Sequence, residues 1–148
     1  HSEESALPFS AIQPRSIRAP RQKIEPTTLV VIRHGSTKST LANVIAGGDG
    51  EDIGLNEKGL KEAMLAASAV SPLLNFFDLP PVSSIINSPM KRTTQTAEAL
   101  SGAEGLTGLA DERLREIAFG DWDGMSMDAM EIESTEEVAK WRASMSQR

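Results

Sequence analysis

The chain has no cysteine, which removes Cys₄ and Cys₂His₂ zinc sites, CxxC redox pairs and any thiol nucleophile together. Histidine is nearly as scarce. Only His1 and His34 occur among 148 residues, so imidazole chemistry falls to His34 or to the terminal His1. No run approaches the ~20 apolar residues that a membrane-spanning helix needs, and no secretory signal is visible. Basic charge is not in excess either: 15 Lys and Arg against 21 Asp and Glu give a net charge of −6. That balance argues against broad binding to nucleic-acid backbones, although a few arginines suffice for one local anion pocket. No internal repeat of fixed period is present.

What remains, 39% hydrophobic and 24% charged residues, is the composition of a single ordinary globular domain, expected to be soluble. Pro8, Pro14, Pro20 and Pro26 recur every six residues and block regular helix, so residues 1–26 are read as an extended or disordered arm and residues 27–148 as the folded domain. A first residue that is not methionine, spaced arginines in the arm and the lack of cysteine fit a processed chain. A trimmed or partial chain fits the first residue equally well, so the compartment is left open: a reducing one, cytoplasm or organelle interior after removal of a targeting peptide, is allowed.

Thr27 to Ile32 is a continuous β-branched and aliphatic run, the pattern of a strand buried on both faces of a parallel sheet. It ends abruptly in Arg33-His34-Gly35, at the strand end where α/β sheets hold ligands. Asn56 predicts a helix start, with Leu60, Met64, Ala67 and Val70 as its apolar stripe and Pro72 just beyond its end. Ser83 to Ile86 reads as a second strand, Ser88-Pro89 as the cap and first turn of a helix through Leu100, and Leu106 to Leu109 as a third strand. Helical spacing returns from Ser126, with Val138, Trp141 and Met145 on one face. Strand and helix in alternation predict the α/β class: a three-layer αβα sandwich with a mostly parallel sheet of βαβ units.

Three places carry chemistry. Arg33 and His34 set a guanidinium, which matches phosphate oxygens in a fork, beside an imidazole able to act as base or nucleophile. Arg92 falls in the first turn of the helix after Ser88-Pro89, where free amides and the helix dipole already favour an anion. Glu116 lies in a loop that Leu114, Ile117, Phe119 and Trp122 can anchor. A carboxyl beside a phosphoryl group keeps its proton longer and suits protonation of a leaving oxygen, unless Glu116 simply pairs with Arg113 or Arg115. Gly47-Gly48-Asp49-Gly50 lacks the Gly-Lys-Ser/Thr of a Walker loop and reads as a flexible acidic surface loop. Trp122 and Trp141 read as core anchors.

Four segments in this order, Val31-Ile32-Arg33-His34-Gly35-Ser36-Thr37, Leu55 to Ala63, Ser88 to Ala97, and Leu114-Arg115-Glu116-Ile117 through Trp122-Asp123-Gly124, resemble the histidine phosphatase superfamily, which includes the phosphoglycerate mutases. The resemblance implies phosphoryl transfer through a phosphohistidine on His34, with no metal or cofactor. Arg33 and Arg92 are implied to bind phosphate, with polar help from Thr37 and Thr40, and Glu116 to donate the proton. The family usually has asparagine at the place of Thr40. It also has a second histidine near the carboxyl end, and no histidine follows Glu116 here. The expected domain is therefore a portion of the family's, with its sheet incomplete at the carboxyl end. The expected partners are a phosphorylated small molecule or phosphoprotein, with no nucleic acid and no membrane span, and a protein partner to cover the incomplete sheet. Gly120-Asp121-Trp122-Asp123-Gly124 matches a segment common in the family's phosphatases, favouring phosphatase over mutase. A non-catalytic structural subunit that keeps the fold is the alternative.

Overall fold

Asn56 starts the longest helix because its side-chain carbonyl accepts the Gly59 N–H at 2.8 Å, satisfying one of the free amides of the first turn. The computed structural model describes residues 25–146, so all of the expected arm except Glu25 and Pro26 lies outside the described residues. In order come α1 (Lys38–Ala42), α2 (Glu57–Phe76), β1 (Ile85–Asn87), α3 (Lys91–Glu104), β2 (Gly108–Ala110), α4 (Met127–Glu133) and α5 (Thr135–Met145). Short 3₁₀ turns occupy Glu112–Leu114 and Gly120–Trp122.

The buried face of α2 is Gly59, Ala63, Ala67, Val70 and Leu74. This corrects the expected stripe, since Leu60 and Met64 face solvent. The small residues win because this end of α2 lies against the backbone of Gly35 and Ser36, where a larger side chain has no room. Pro72 sits inside α2 rather than past it. Pro72 and Ser68 are both exposed, so the Ser68 carbonyl that loses its N–H partner faces water, and the helix runs on for another turn.

The α/β class and the parallel pairing expected from the sequence are what the structure holds. β1 and β2 form an open two-stranded parallel sheet in the register Ile85 to Gly108, Ile86 to Leu109 and Asn87 to Ala110. Parallel neighbours need a crossover, and α3 supplies it. The cap of α3 is Met90, not Ser88; Ser88 instead accepts the Met90 N–H at 3.4 Å. The helix passes Leu100 and stops at Gly105, whose φ of 67° lets its N–H turn back to Ser101. The core joins Ala67, Val70 and Leu74 of α2 to Ile85 of β1 and to Ala97 and Leu100 of α3.

The expected first strand is the main departure. Thr27 to Ile32 makes no ladder hydrogen bonds among the described residues; Leu29 and Val31 are 81% and 90% exposed, and only Ile32 touches the core. This segment and Val82 to Ser88 line the same apolar groove, about 880 Å³ in volume, and among the described residues the run pairs with no strand. Farther along the chain, Phe119 and Trp141 meet edge to face at 6.2 Å and, with Trp122 and Met130, bound an apolar cavity of about 190 Å³.

A Cβ on Gly35 meets the backbone of Gly59, and a Cβ on Gly59 meets that of Ser36. Backbone cannot rotate away as a side-chain tip can. Gly35→Ala is therefore expected to lower stability by about 1–3 kcal/mol, read from urea unfolding midpoints.

Candidate active site

His34 stands on the turn that Gly35 permits. Its Nδ1 lies 2.7 Å from the Gly35 carbonyl oxygen. A carbonyl only accepts, so Nδ1 carries the proton and the Nε2 lone pair is left to act. The Gly35 N–H in turn donates to Thr96 Oγ1 at 3.3 Å, and the Thr96 hydroxyl donates to the Arg92 carbonyl at 2.9 Å. One buried hydroxyl thus ties the histidine turn to the helix that carries the arginine.

Arg92 is only 4% exposed. Its Nη2 donates to the Ala46 carbonyl at 3.3 Å, while Nη1 is buried with no partner among the described residues. Arg33 is exposed and makes no ion pair among them. Both guanidiniums act on His34. Burial holds its pKa below the ordinary 6.5 first of all; the Gly35 bond opposes that, Arg92 and then Arg33 push further down, and Glu116 pulls up. The neutral imidazole is thereby favoured.

Glu116 is exposed and does not take either arginine offered by the sequence, because Arg113 pairs with Asp111 and Arg115 with Glu112. The anchoring differs from expectation: Leu114 and Ile117 are exposed, and Phe119 and Trp122 alone of the four line the apolar cavity. Backbone does the rest. The Gly48 N–H donates to the Ile117 carbonyl at 2.9 Å, and the Asp123 carboxylate accepts the N–H of Gly47 at 2.6 Å and of Phe119 at 3.4 Å. The Gly47 to Gly50 loop is thus no free surface loop at its start, since Gly47 and Gly48 are buried and a Cβ on Gly48 collides with the Glu116 carbonyl.

Thr37 and Thr40 come together with each other. Thr37 caps α1, Thr40 closes the reciprocal capping box, and their hydroxyls lie 3.2 Å apart. Among the described residues no group of three or more His, Asp or Glu side chains is placed to hold a metal ion, and no helix is long and apolar enough to cross a membrane. Sequence reasoning missed Glu62, Thr96, Ala46 and Asp123. Thr96 was within reach, lying one helical turn after Arg92 on the same face; the others are long-range contacts with no local signal.

His34 with one free ring nitrogen, Arg92 buried with no counter-ion among the described residues and Glu116 acting on the same imidazole make up the candidate site, and the chain belongs to the histidine phosphatase superfamily, branch 1, whose family model matches residues 29–148. It is 34% identical over 115 residues to a Yersinia pestis protein named probable phosphoglycerate mutase GpmB, a match covering 78% of this chain and 47% of that protein. Among solved structures, it superposes with a TM-score of 0.63 and 28% identity on a mycobacterial glucosyl-3-phosphoglycerate phosphatase complexed with VO₃, over 74% of this chain and 50% of that one. Phosphoserine phosphatase of Entamoeba histolytica, in complex with 3-phosphoglyceric acid, gives a TM-score of 0.55 at 27% identity over 66% and 43%. The chain spans about half the length of the curated relatives it matches.

The depressed His34 pKa has a stability consequence. As pH falls below 6.5 the unfolded chain takes up a proton that the folded chain still refuses, so stability declines through that window until the folded group also titrates. His34→Gln is expected to flatten this decline, measured as urea midpoints on either side of pH 6.5.

Proposed function

We propose that the chain belongs to a phosphomonoester phosphatase that works through a phosphohistidine on His34. The observation that carries the reading is Arg92: a buried guanidinium with no counter-ion among the described residues is costly unless an anion completes it, and this one acts electrostatically on the imidazole. In the first step the Nε2 lone pair attacks phosphorus, the bond from phosphorus to the ester oxygen breaks, and Glu116 gives its proton to the departing oxygen. In the second step water attacks the phosphohistidine, Glu116 takes the water's proton, and inorganic phosphate leaves with the imidazole restored. Arg33 and Arg92 neutralise the phosphoryl oxygens throughout. Thr37 and Thr40 have a secondary part, because their hydroxyls already serve the cap of α1.

Phosphatase is favoured over mutase by Gly120-Asp121-Trp122-Asp123-Gly124 and by the two solved phosphatases above. A phosphorylated small molecule of the phosphoglycerate kind is the substrate class those names suggest. The exposed groove beside Thr27 to Ile32 favours a second reading, a structural subunit whose partner covers it. One experiment decides. The protein is incubated with p-nitrophenyl phosphate, quenched in base and mapped by peptide mass spectrometry. Nitrophenol release with phosphate on His34 rather than His1 supports the enzyme; neither release nor phosphohistidine overturns it.

A further inference from the structure

We propose that Glu62 is a positioning residue which, acting through the Gly35–Ser36 peptide, fixes the proton of His34 on Nδ1 and so presents Nε2 to phosphorus. Its value to the reaction rests on the phosphohistidine reading, whereas the contact itself does not.

The peptide joining Gly35 to Ser36 is bonded at both ends. Its carbonyl accepts from His34 Nδ1 at 2.7 Å, and its N–H donates to Glu62 Oε2 at 2.8 Å. The same carboxylate oxygen accepts the Ser36 hydroxyl, also at 2.8 Å. A carboxylate and an imidazole therefore face each other across one amide. When an amide N–H donates to an anion, electron density moves toward its own carbonyl oxygen, which becomes the stronger acceptor. That favours the ring form with hydrogen on Nδ1. The effect grows when Nε2 bonds to phosphorus, because the ring becomes cationic and its Nδ1–H a stronger donor. The logic is that of a carboxylate orienting a histidine directly, with a peptide in between.

Glu62 is suited to hold this charge. The Ser36 hydroxyl first, then the Ser36 N–H and Lys58, keep its carboxyl below the usual range. Lys58, one turn earlier on α2, lies 3.7 Å away. The charged groups acting on His34 are Arg33 from its own segment, Arg92 from α3 and Glu116 from the loop after β2; none of their side chains hydrogen-bonds to the Gly35–Ser36 peptide, whose carbonyl and N–H go to His34 and Glu62. A purely structural role, clamping the turn, predicts that any group able to accept the two hydrogen bonds will serve.

Glu62→Gln separates the two, since it keeps an acceptor and removes the charge from a half-exposed, isosteric position. The full chain, labelled with ¹⁵N-histidine and with His1→Ala to leave one ring signal, is read by long-range ¹H–¹⁵N correlation. The wild-type ring is expected in the Nδ1–H form. In Glu62→Gln the ratio of Nδ1–H to Nε2–H should fall about tenfold, with kcat down by a similar factor and KM unchanged. Ser36→Ala, which removes the hydroxyl bond and leaves the N–H, should keep the wild-type ratio. Glu62→Ala repeats the test should the glutamine variant be unfolded by circular dichroism. A wild-type ratio in the folded Glu62 variant overturns the proposal. A ratio that depends on Glu62 in a protein that never forms phosphohistidine supports the proposal and overturns the phosphatase reading instead.

Discussion

Replacing Arg92 with methionine is expected to reduce turnover of a phosphomonoester by about 10²–10³-fold, the usual effect of removing one preorganised charge contact. The same substitution should raise the melting temperature. Arg92 lies in the first turn of α3, 4% exposed, with one terminal nitrogen on the Ala46 carbonyl and the other on nothing among the described residues. Exchanging a whole buried ion pair for apolar side chains is commonly neutral or stabilising by about 1–4 kcal/mol, and here a single cation is exchanged with no paired carboxylate among the described residues left to lose its partner. The freed Ala46 carbonyl offsets part of that gain, about 1 kcal/mol for one neutral hydrogen bond. An arginine kept for structure gives the opposite pair of results, unchanged turnover and a lower melting temperature. Inorganic phosphate provides a third reading: it should raise the wild-type melting temperature in proportion to its binding and leave that of Arg92→Met unmoved.

The substitution also has a signature in acid. Arg92 is the larger of the two guanidinium influences that depress the His34 pKa. Without it the imidazole holds its proton to higher pH, so the stability lost on acidification should begin from a smaller difference between folded and unfolded chains. Function and titration should thus respond together to one side chain, through the field of a buried cation on a neighbouring ring.

His34, Arg33, Arg92 and Glu116 stood out in the sequence because each sits at a local punctuation mark: the end of an apolar run, the first turn after Ser88-Pro89, a charged loop between apolar residues; the structure lets the other three act on His34. The helices were legible for a similar reason, as Asn56 shows by capping α2 where a short polar side chain precedes a helical pattern. The face of α2 was not. Leu60 and Met64 fit an apolar stripe by spacing, but the contact that orients the helix is the approach of Gly59 to Gly35, set by backbone far away in the chain. Thr27 to Ile32 shows the same limit. Its composition is that of a buried strand, yet burial needs a partner strand, and hydrophobicity alone records a preference rather than a neighbour. Glu62 and Asp123 were invisible because their partners, Ser36 and Gly47, lie 26 and 76 residues off. In Gly47 and Gly48 the sequence offered flexibility, and the structure uses the missing side chains for close approach to the Glu116 loop.

Glu116→Gln should separate substrates by their leaving groups. The glutamine keeps the size of the side chain and the bonds that hold its loop, from the Gly48 N–H to the Ile117 carbonyl and from the Gly47 and Phe119 N–H groups to the Asp123 carboxylate. What it loses is the proton. For an alkyl phosphate such as a phosphoglycerate, whose alkoxide leaves poorly, loss of general acid catalysis is expected to lower kcat/KM by about 10²–10⁴-fold. For p-nitrophenyl phosphate the leaving phenolate needs no proton, so formation of the phosphohistidine should be nearly as fast as in the wild type. The second step then exposes the other half of the role. Water attacks without a base, phosphohistidine accumulates on His34, and a burst of nitrophenol precedes a slow steady state. Glu116 also pulls the His34 pKa upward, so its neutralisation should lower the midpoint of the acid limb of the burst rate, the opposite direction from Arg92→Met. Equal losses on both substrates with no burst would place Glu116 in binding rather than in proton transfer. The contrast between the two esters, not the size of either loss, identifies the carboxyl as the group that moves the proton.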